Sequence, residues 1–270
     1  MRTRIAAAGA VPAVAGLLLV TAAAWPVTAA AAKTSKPAAS PFKPASEFFD
    51  ANGVRLRYLS GGRGETIVLL HGLHSTAYQS WQKTGILEAL ARNHRVLALD
   101  LPGHGESDKP AIPDAYGKAM VEDVRLLLDH VGVSKAHIVG YSLGALVATR
   151  FLVDHPDRVL SGTVAGMGWM RDSGWLQGVW ERLPVREADN TSRMCIRSIE
   201  QLQVTRQELE AIQVPVAVIL GDRDPVRRMY ITPLKNARKD WPVIVVPGGG
   251  ATAITTKKFR DELVKWLQRH

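Results

Sequence analysis

The sequence predicts an α/β fold in which a mostly parallel central sheet carries helices on both faces. Short apolar runs alternate with helical patterns along the chain, an order that favours a parallel sheet. Thr66–Leu70 is such a run, and Ala136–Gly140 is a second segment typical of a buried strand. Near the start, a turn at Ala51–Gly53 joins strand-like segments at Glu47–Asp50 and Val54–Leu59, which predicts an antiparallel hairpin at the sheet edge.

The remaining elements continue this alternation. Parallel strands place ligands at their carboxyl ends, so functional residues are expected directly after strands. Further strands are predicted at Arg95–Asp100, Val159–Ala165, Val214–Leu220 and Val243–Val246. Helices are predicted at Tyr78–Arg92, at Asp114–Asp129 with Asp114 as N-cap, at Leu143–Val153 and at Phe259–Leu267.

The first 32 residues have the pattern of a secretory signal peptide. Arg2 and Arg4 form a basic start, an apolar alanine-rich stretch follows, and small residues surround Thr28–Ala32. A retained membrane anchor would need about 20 apolar residues. The densest apolar run, Val11–Ala24, is shorter and contains Pro12. The protein is therefore expected to be exported, with no stable membrane span after signal cleavage.

Two segments do not follow the alternation of strands and helices. Residues 33–46 are rich in Lys, Pro, Ala and Ser and are expected to form a disordered spacer, which places the folded domain at 47–270. Residues 166–213 contain many charged residues but no strand pattern. We expect this segment to form a small helical cap over the carboxyl edge of the sheet. Its tryptophans are Trp169, Trp175 and Trp180.

Composition and charge narrow the functional classes. The 270 residues are 46% hydrophobic and 22% charged, which is ordinary for a globular protein with a sizeable core. The formal net charge is +9, but the basic residues are dispersed and not interleaved with aromatic residues, so no nucleic-acid binding is expected. Cys195 is the single cysteine, so no internal disulfide can form, and no residue cluster has the spacing of a metal site.

A candidate nucleophile lies in the segment Gly140–Gly144, which reads Gly-Tyr-Ser-Leu-Gly and matches the pattern Gly-x-Ser-x-Gly. The pattern is short, but here a buried strand runs into it and an apolar helix follows it. Such a corner strains the backbone of Ser142, and the two glycines remove side chains that would clash as strand and helix close up. The Ser142 hydroxyl is therefore expected above the sheet edge, at a helix N-terminus that favours negative charge.

Two further segments supply groups that acyl chemistry needs. His71–Leu73 directly follows the first buried strand. The backbone N–H groups of Leu73 and Leu143 are expected to form an oxyanion hole there. Asp224 follows a later strand, where a carboxylate can orient a histidine.

Four segments together resemble the α/β-hydrolase fold family: His71-Gly72, Asp100-Leu101-Pro102-Gly103-His104-Gly105-Glu106-Ser107, Gly140–Gly144, and Gly221-Asp222-Arg223-Asp224-Pro225. The resemblance covers nearly everything from Glu47 to the C-terminus. It implies similarity to small serine esterases, lipases, carbon–carbon bond hydrolases and perhydrolases, with a small-molecule acyl substrate and no cofactor. Ser142 disfavours the members similar to haloalkane dehalogenases and epoxide hydrolases, which use Asp at that position.

The sequence departs from this family at one position. The family carries a histidine after the last strand, usually within Pro-Gly-x-Gly-His, whereas the run that begins at Pro247 here places Ala251 at that position. A serine hydroxyl is a poor nucleophile until a base accepts its proton, which alanine cannot do. His74, just past the oxyanion turn, is the candidate substitute base. His71 is expected to anchor the loop through hydrogen bonds, and His104 is expected to be structural.

Three hypotheses are open on these grounds. The chain is a hydrolase of a carboxylic ester or related acyl substrate, with Ser142 as nucleophile and Asp224 supporting the base. Alternatively, it is a non-catalytic protein that binds a small apolar ligand on the same fold. In the third hypothesis Ala251 replaces a histidine, naturally or by engineering, in an otherwise active enzyme.

Overall fold

The computed structural model describes residues 42–171 and 190–270. The predicted signal peptide, most of the predicted spacer, and Trp175 and Trp180 lie outside the described residues. The folded unit begins at Phe42, which packs against the core, and its first strand begins at Ala45. The prediction of a disordered spacer is therefore wrong for residues 42–46. Ala45 and Ser46 extend the hairpin because they pair with Ser60 and Leu59, a non-local contact.

The described residues form one eight-stranded sheet. Its strands are β1 (Ala45–Ala51), β2 (Val54–Gly61), β3 (Thr66–Leu70), β4 (Arg95–Leu99), β5 (Ala136–Tyr141), β6 (Val159–Ala165), β7 (Val216–Gly221) and β8 (Val243–Val246). Their order is β1-β2-β4-β3-β5-β6-β7-β8. β1 is antiparallel to β2 and β2 to β4, whereas all other neighbours are parallel, so the predicted antiparallel edge and parallel centre are confirmed.

Helices and short helical turns connect these strands. The α-helices of the described residues are α1 (Ile86–Ala91), α2 (Lys118–His130), α3 (Leu143–Asp154), α4 (Asn190–Ser198), α5 (Arg206–Ala211), α6 (Ile231–Ala237) and α7 (Lys257–Leu267). A π-helical turn spans Tyr78–Gln82. Single 3-10 turns span Pro113–Ala115, Pro156–Arg158, Ile199–Leu202, Pro225–Arg227 and Gly250–Thr255.

Alternate residues of the central strands belong to two separate apolar cores. Val68 and Leu70 of β3 lie in the core that contains α2 and α3. Ile67 and Leu69 lie in the core that contains α1 and α7. Successive side chains of a strand point to opposite faces, so this partition shows that both faces are covered by helices. The predicted α/β fold is confirmed.

Two predicted helices begin differently in the structure. The predicted helix Tyr78–Arg92 is two pieces, because Gly85 has a left-handed backbone (φ 72°) that separates the π-helical turn from α1. Asp114 is not the N-cap of α2 but lies in a 3-10 turn, and α2 begins after Gly117, whose φ is 63°. Glycine adopts such positive φ values without steric cost, so both interruptions occur at glycines.

The predicted cap, residues 166–213, is described only at 166–171 and 190–213, where it contains helices and no strand. Trp169 attaches the start of this segment to two other parts of the chain. Its indole N–H donates to the carbonyl of Val204 (2.6 Å), and its backbone N–H donates to the carbonyl of Tyr230 (3.0 Å). α5 packs against α3 and α6. This helix therefore lies on a face of the sheet, and the prediction that the whole segment covers the carboxyl edge is wrong for α5.

Candidate active site

The order of the strands reverses at β3, which has β4 on one side and β5 on the other. In open parallel sheets, a crevice forms outside the carboxyl ends of the strands at such a reversal. The loop after β3 begins with His71 and Gly72, and Ser142 directly follows β5. The candidate nucleophile therefore lies at the point where the topology favours a ligand site.

Ser142 has a strained backbone between β5 and α3. Its φ of 54° and ψ of −114° are rare for a residue with a side chain and cost about 1–3 kcal/mol. Hydrogen bonds hold this conformation: the Ser142 N–H donates to the carbonyl of Ala165 on β6 (2.8 Å), and the Ser142 carbonyl accepts from the N–H of Ala145 (2.9 Å). The strained corner that the sequence predicted is present.

The two glycines of the corner are required by close backbone approach. A Cβ added to Gly140 would lie 2.1 Å from the carbonyl oxygen of Gly144, and one added to Gly144 would lie 2.2 Å from the carbonyl oxygen of Leu70. Both distances are far shorter than van der Waals contact. The glycines therefore allow β5, α3 and the end of β3 to meet around Ser142.

Leu73 lies in the loop after β3, and Leu143 directly follows Ser142. Leu73 lines the same cavity as Ser142, and Leu143 is the first residue of α3. Within the described parts of the chain, the backbone N–H of neither residue has a hydrogen-bond acceptor. Both donors are thus available to a substrate oxygen.

His71 anchors the loop that carries Leu73, as expected. Its Nε2 accepts a hydrogen bond from the N–H of Leu101 (3.1 Å), and its Nδ1 lies 2.8 Å from the carbonyl oxygen of Gly72. Burial, together with the neighbouring His104, lowers the pKa of His71 to about 3. The ring is therefore neutral near pH 7 and carries its proton on Nδ1, since Nε2 must accept.

Asp100 accepts hydrogen bonds from groups of three different segments next to this loop. Its Oδ1 accepts from the N–H of Ala77 (2.6 Å), and its Oδ2 accepts from Arg57 Nη1 (3.0 Å) and from the N–H of Glu106 (3.1 Å). A Cβ on Gly105 would lie 2.2 Å from that Oδ2. The segment 100–107, which contributed to the family resemblance, is therefore held together by the buried carboxylate of Asp100 beside the site.

The loops after β7 and β8 are tied together. The N–H of Arg223 donates to the carbonyl of Gly248 (2.9 Å), and the N–H of Gly248 donates to Asp222 Oδ1 (2.9 Å). This pairing places Asp224 and Ala251 at the walls of one cavity.

Asp224 is buried, with 5% of its surface exposed. Its Oδ1 accepts a hydrogen bond from the N–H of Val226 (3.3 Å), and its Oδ2 has no partner among the described residues. Burial raises the pKa of this carboxyl above its ordinary value. No ion pair joins Asp224 to Arg223, Arg227 or Arg228 within the described chain.

Ser142, Asp224 and Ala251 line one cavity of about 250 Å³. Its described wall contains no histidine. The structure thus brings together the predicted nucleophile, the predicted acid and Ala251, the position at which the family resemblance predicts a histidine, and the described cavity wall supplies no histidine as base. The apolar side chains of the wall include Leu73, Met167, Val226 and Ile254, and the polar ones include Ser75 and Ser80.

The chain is similar to proteins of known activity. A family model for the alpha/beta hydrolase fold matches residues 65–193. The chain is 32% identical over 233 residues to the dihydrolipoyllysine-residue acetyltransferase component of an acetoin cleaving system from Pseudomonas putida, a match that covers 78% of this chain and 59% of that protein. It is 38% identical over 108 residues to a soluble epoxide hydrolase from Corynebacterium sp., which covers 40% of this chain and 36% of that protein.

A solved structure gives the same fold. The 2-hydroxy-6-oxo-6-phenylhexa-2,4-dienoate hydrolase from Rhodococcus sp. strain RHA1 superposes with a TM-score of 0.69 at 20% identity, over 84% of this chain and 99% of that chain. The chain has the α/β-hydrolase fold. It spans between about a third and three fifths of the length of the curated relatives it matches.

Several described histidines lie outside the cavity wall. His74 has an exposed side chain and does not line the cavity, so the structure does not bring it to Ser142 and Asp224. His137 Nδ1 lies 2.8 Å from Ser161 Oγ, and His155 Nε2 lies 2.7 Å from Glu122 Oε1. His104 Nδ1 lies 2.9 Å from the carbonyl oxygen of Pro102, in keeping with a structural role.

Tyr141 is a site residue that the sequence reasoning missed. It lines the cavity, its hydroxyl donates to the carbonyl oxygen of Gly250, and its ring packs edge-on against Phe259. Burial raises the pKa of Tyr141, and the nearby Asp224 raises it further. Its position directly before Ser142 was the available signal. Tyr141 joins the corner to the loop that carries Ala251.

Neither a metal site nor a membrane span is found in residues 42–171 and 190–270. No group of three or more His, Cys, Asp or Glu residues there could hold a metal ion. No helix in the same residues has the length and apolar character that crossing a bilayer requires.

Proposed function

We propose that this protein is an exported serine hydrolase that cleaves small carboxylic esters or related acyl substrates, with Ser142 as nucleophile. The observation that carries the proposal is the strained conformation of Ser142, whose φ is 54° between β5 and α3, at the wall of a cavity. Strain of this kind clusters at functional sites, where it holds a side chain in a reactive position.

The proposed reaction begins when Ser142 Oγ attacks the acyl carbon. Negative charge then develops on the carbonyl oxygen, and the N–H groups of Leu73 and Leu143 stabilise it as an oxyanion hole. Loss of one such donor typically costs about 10²–10³ in turnover. Departure of the alcohol leaves an acyl-Ser142 ester, which water hydrolyses. The small cavity of about 250 Å³ and its apolar wall favour a small acyl group.

Acyl chemistry suits a serine better than the chemistry named for some relatives. Several relatives are epoxide hydrolases, and one is a fluoroacetate dehalogenase. Attack of a hydroxyl on an epoxide or a carbon–halogen bond would leave an ether on Ser142, which water does not readily cleave. Attack on an acyl carbon leaves an ester, which the same oxyanion donors help to hydrolyse.

In this proposal, removal of the proton from the Ser142 hydroxyl limits the rate. The cavity wall has Ala251 where a histidine would accept that proton, and Asp224 lies in the same wall. A serine site that lacks one member of its triad keeps only about 10³–10⁴ of acceleration over water. We therefore propose slow intrinsic hydrolysis, which a histidine at position 251 would increase because it would lie beside both Ser142 and Asp224.

A fluorophosphonate probe and a short aryl ester test this proposal. We expect the probe to label Ser142, identified by mass spectrometry, and Ser142→Ala to abolish both labelling and hydrolysis. Ala251→His is expected to increase ester hydrolysis by about 10²–10⁴, the usual contribution of a general base. Absence of labelling and of hydrolysis in both the native chain and folded Ala251→His would refute it.

The second candidate function is a non-catalytic protein that binds a small apolar ligand in the same cavity. The residue that favours it is Ala251, because a wall without a proton acceptor can hold a ligand without cleaving it. The assay above separates the two functions. Hydrolysis by the native chain supports the enzyme, and activity that appears only in Ala251→His supports an enzyme whose histidine was replaced. Absence of hydrolysis by both the native chain and Ala251→His supports the binding protein.

Export is proposed from the sequence pattern of residues 1–32. Expression of the full chain in a bacterial host, followed by fractionation and N-terminal sequencing, tests it. We expect a shortened chain outside the cytoplasm that begins near residue 33. A full-length chain in the cytoplasm would contradict the proposal.

A further inference from the structure

A second cavity, of about 280 Å³, lies between the turn of the β1–β2 hairpin and the start of α2. Its described wall contains three carboxylic acids, Asp114, Glu122 and Asp123, and neither lysine nor arginine. This wall contrasts with a chain whose formal net charge is +9. None of its described residues lines the cavity of Ser142. The second cavity is therefore a separate space, and its charge favours a cation.

Asp123 is the buried acid of the second cavity. Only 6% of its surface is exposed, and no described group donates a hydrogen bond to its carboxylate. Neither oxygen is among the fully covered polar atoms without a partner, so both keep accessible surface where Asp123 lines the cavity. A buried carboxylate without a hydrogen-bond donor costs about 1–3 kcal/mol or more. The structure therefore presents to the second cavity a carboxylate that lacks a donor.

The neighbouring charged groups do not supply that donor. Glu122 is already paired, because its Oε2 accepts from Arg125 Nε (2.7 Å) and its Oε1 lies 2.7 Å from His155 Nε2. Asp114 is exposed and forms no ion pair within the described chain. Asp123 and Asp114 are thus the two acids of this wall that remain available to a ligand.

The rest of the wall is mainly apolar. Ala51 and Val54 contribute from the hairpin, and Ala115 and Ala119 contribute from the other side. Ile112 lines the same cavity and is 59% exposed. An aliphatic chain placed here would remove these apolar surfaces from water, which is favourable. The ligand that matches this wall is therefore a cation on an aliphatic stem.

We propose that the second cavity binds a primary alkylammonium group, with its N–H groups on the Asp123 carboxylate and its alkyl chain along Ile112. An ammonium has three donors and no acceptor, as two available acids require. In the described residues the acids do not form a set that could hold a metal ion, which favours an organic cation. A free alkylamine and a lysine side chain share this chemistry. The site adds a binding function that does not depend on Ser142.

The charge of Asp123 sets the conditions of the test. Burial, together with Glu122, raises the pKa of Asp123 to about 8. An ammonium beside the carboxylate favours the ionised form. At pH 9 the carboxylate is ionised in the free protein, and a primary alkylammonium, with a pKa of about 10.4, still carries its charge. Binding is therefore measured at pH 9.

n-Butylammonium chloride is the first probe, titrated against the full chain while the methyl NMR signals of Ile112 are followed. We expect saturable shifts, and Asp123→Asn should weaken binding by about tenfold or more, as for a hydrogen bond to a charged group. Asp157→Asn, at an exposed carboxylate, should bind like the native chain. n-Butanol, which has the same chain without the charge, should bind about tenfold more weakly or worse. Equal affinity of butylammonium for the native chain and Asp123→Asn would overturn the proposal, and so would equal affinity of butanol and butylammonium.

A second pair of variants tests the space itself. Ala119→Leu adds bulk to the wall and should abolish binding, whereas Ala89→Leu, at a half-buried alanine of α1, should leave it unchanged. Unchanged binding to Ala119→Leu would place the ligand elsewhere and refute the site. Nα-acetyl-lysine methylamide then distinguishes the two sources of the ammonium. Tighter binding than butylammonium supports a lysine of a polypeptide as the ligand, and weaker binding supports a free alkylamine.

Discussion

The backbone N–H of Gly144 donates a 3.1 Å hydrogen bond to the carbonyl oxygen of His71. This bond joins the turn that carries Ser142 to the loop that carries Leu73. The approach is so close that a Cβ on Gly144 would lie 2.2 Å from the carbonyl oxygen of Leu70. The separation of the two proposed oxyanion donors is therefore set by a contact that only glycine allows.

Gly144→Ala is expected to push α3 away from the end of β3. The inserted methyl should cost about 1–3 kcal/mol of unfolding free energy, the range for overpacking. Because the shift displaces the Leu143 N–H, fluorophosphonate labelling of Ser142 should slow by about tenfold or more. Urea unfolding and labelling rates measure the two effects.

Gly132→Ala is the matched control for this change. Gly132 has a φ of 68° and open space around its Cα, so the variant should cost about 1 kcal/mol and leave labelling unchanged. Labelling of Gly144→Ala at the rate of Gly132→Ala would contradict the expected displacement.

Asp100→Asn is expected to lower the unfolding free energy strongly, although Asp100 does not line the cavity. Asp100 is fully buried and pairs with Arg57, whose own exposure is 8%. An amide in its place leaves the buried Arg57 guanidinium with only Glu106, a carboxylate 3.2 Å away that is 63% exposed, as its counter-charge. Removal of one partner of a buried ion pair typically costs about 3–5 kcal/mol. Urea unfolding measures the loss. The exposed pair of Lys257 and Asp261 serves as control, and Asp261→Asn should leave the unfolding free energy nearly unchanged because water screens an exposed ion pair. Similar losses in both variants would count against a buried ion pair.

Elements with a local signal could be predicted from the sequence. The bounds of Thr66–Leu70, Val159–Ala165 and Val243–Val246 agree with the structure. Thr66–Leu70 is buried at every residue, and strands covered on both faces are continuous apolar runs. The corner at Ser142 was also predictable, since Gly140 is required by a contact with the nearby backbone of Gly144. Gly144 itself is required by a contact with the carbonyl oxygen of Leu70, which is distant in sequence.

Features that depend on non-local pairing could not be predicted. Ala45 and Ser46 look like spacer residues, but they pair with the far end of β2. The unpartnered Oδ2 of Asp224 and the bond from Tyr141 to Gly250 depend on how the loops after β5, β7 and β8 meet, which no local pattern encodes. His74 is close to the oxyanion turn in sequence, yet its side chain is exposed outside the cavity wall.

Phe259→Ala is expected to affect both stability and the site. Phe259 is fully buried, and its ring centroid lies 5.7 Å from that of Tyr141 at an interplanar angle of 72°. Removal of a buried phenyl ring typically costs about 3–5 kcal/mol. Loss of its support should also loosen Tyr141 and slow labelling of Ser142.

Unfolding free energies measured in urea check this expectation. Met229, which is 36% exposed, provides the control, and Met229→Ala should change stability by about 0.5 kcal/mol or less. If Phe259→Ala lowered the unfolding free energy by less than about 1 kcal/mol, the ring would not be a central part of the core that contains α1 and α7.

Asp123 on α2 is expected to make stability fall as the pH rises. It is 6% exposed, and burial together with the neighbouring Glu122 raises its pKa to about 8 from an ordinary 3.8. Between these values the unfolded chain has released the proton and the folded chain still holds it. Each pH unit in this window therefore favours unfolding by up to about 1.4 kcal/mol.

Asp123→Asn removes the carboxyl group that is protonated in the folded chain and ionised in the unfolded chain. The stability of the variant relative to the native chain should rise steadily between about pH 4 and pH 8, the window set by the two pKa values. Urea unfolding at a series of pH values measures the difference. Asp157→Asn, at an exposed carboxylate, controls for the loss of one negative charge. Parallel pH profiles for the native chain and Asp123→Asn would show that Asp123 ionises with the same pKa in the folded and unfolded chain.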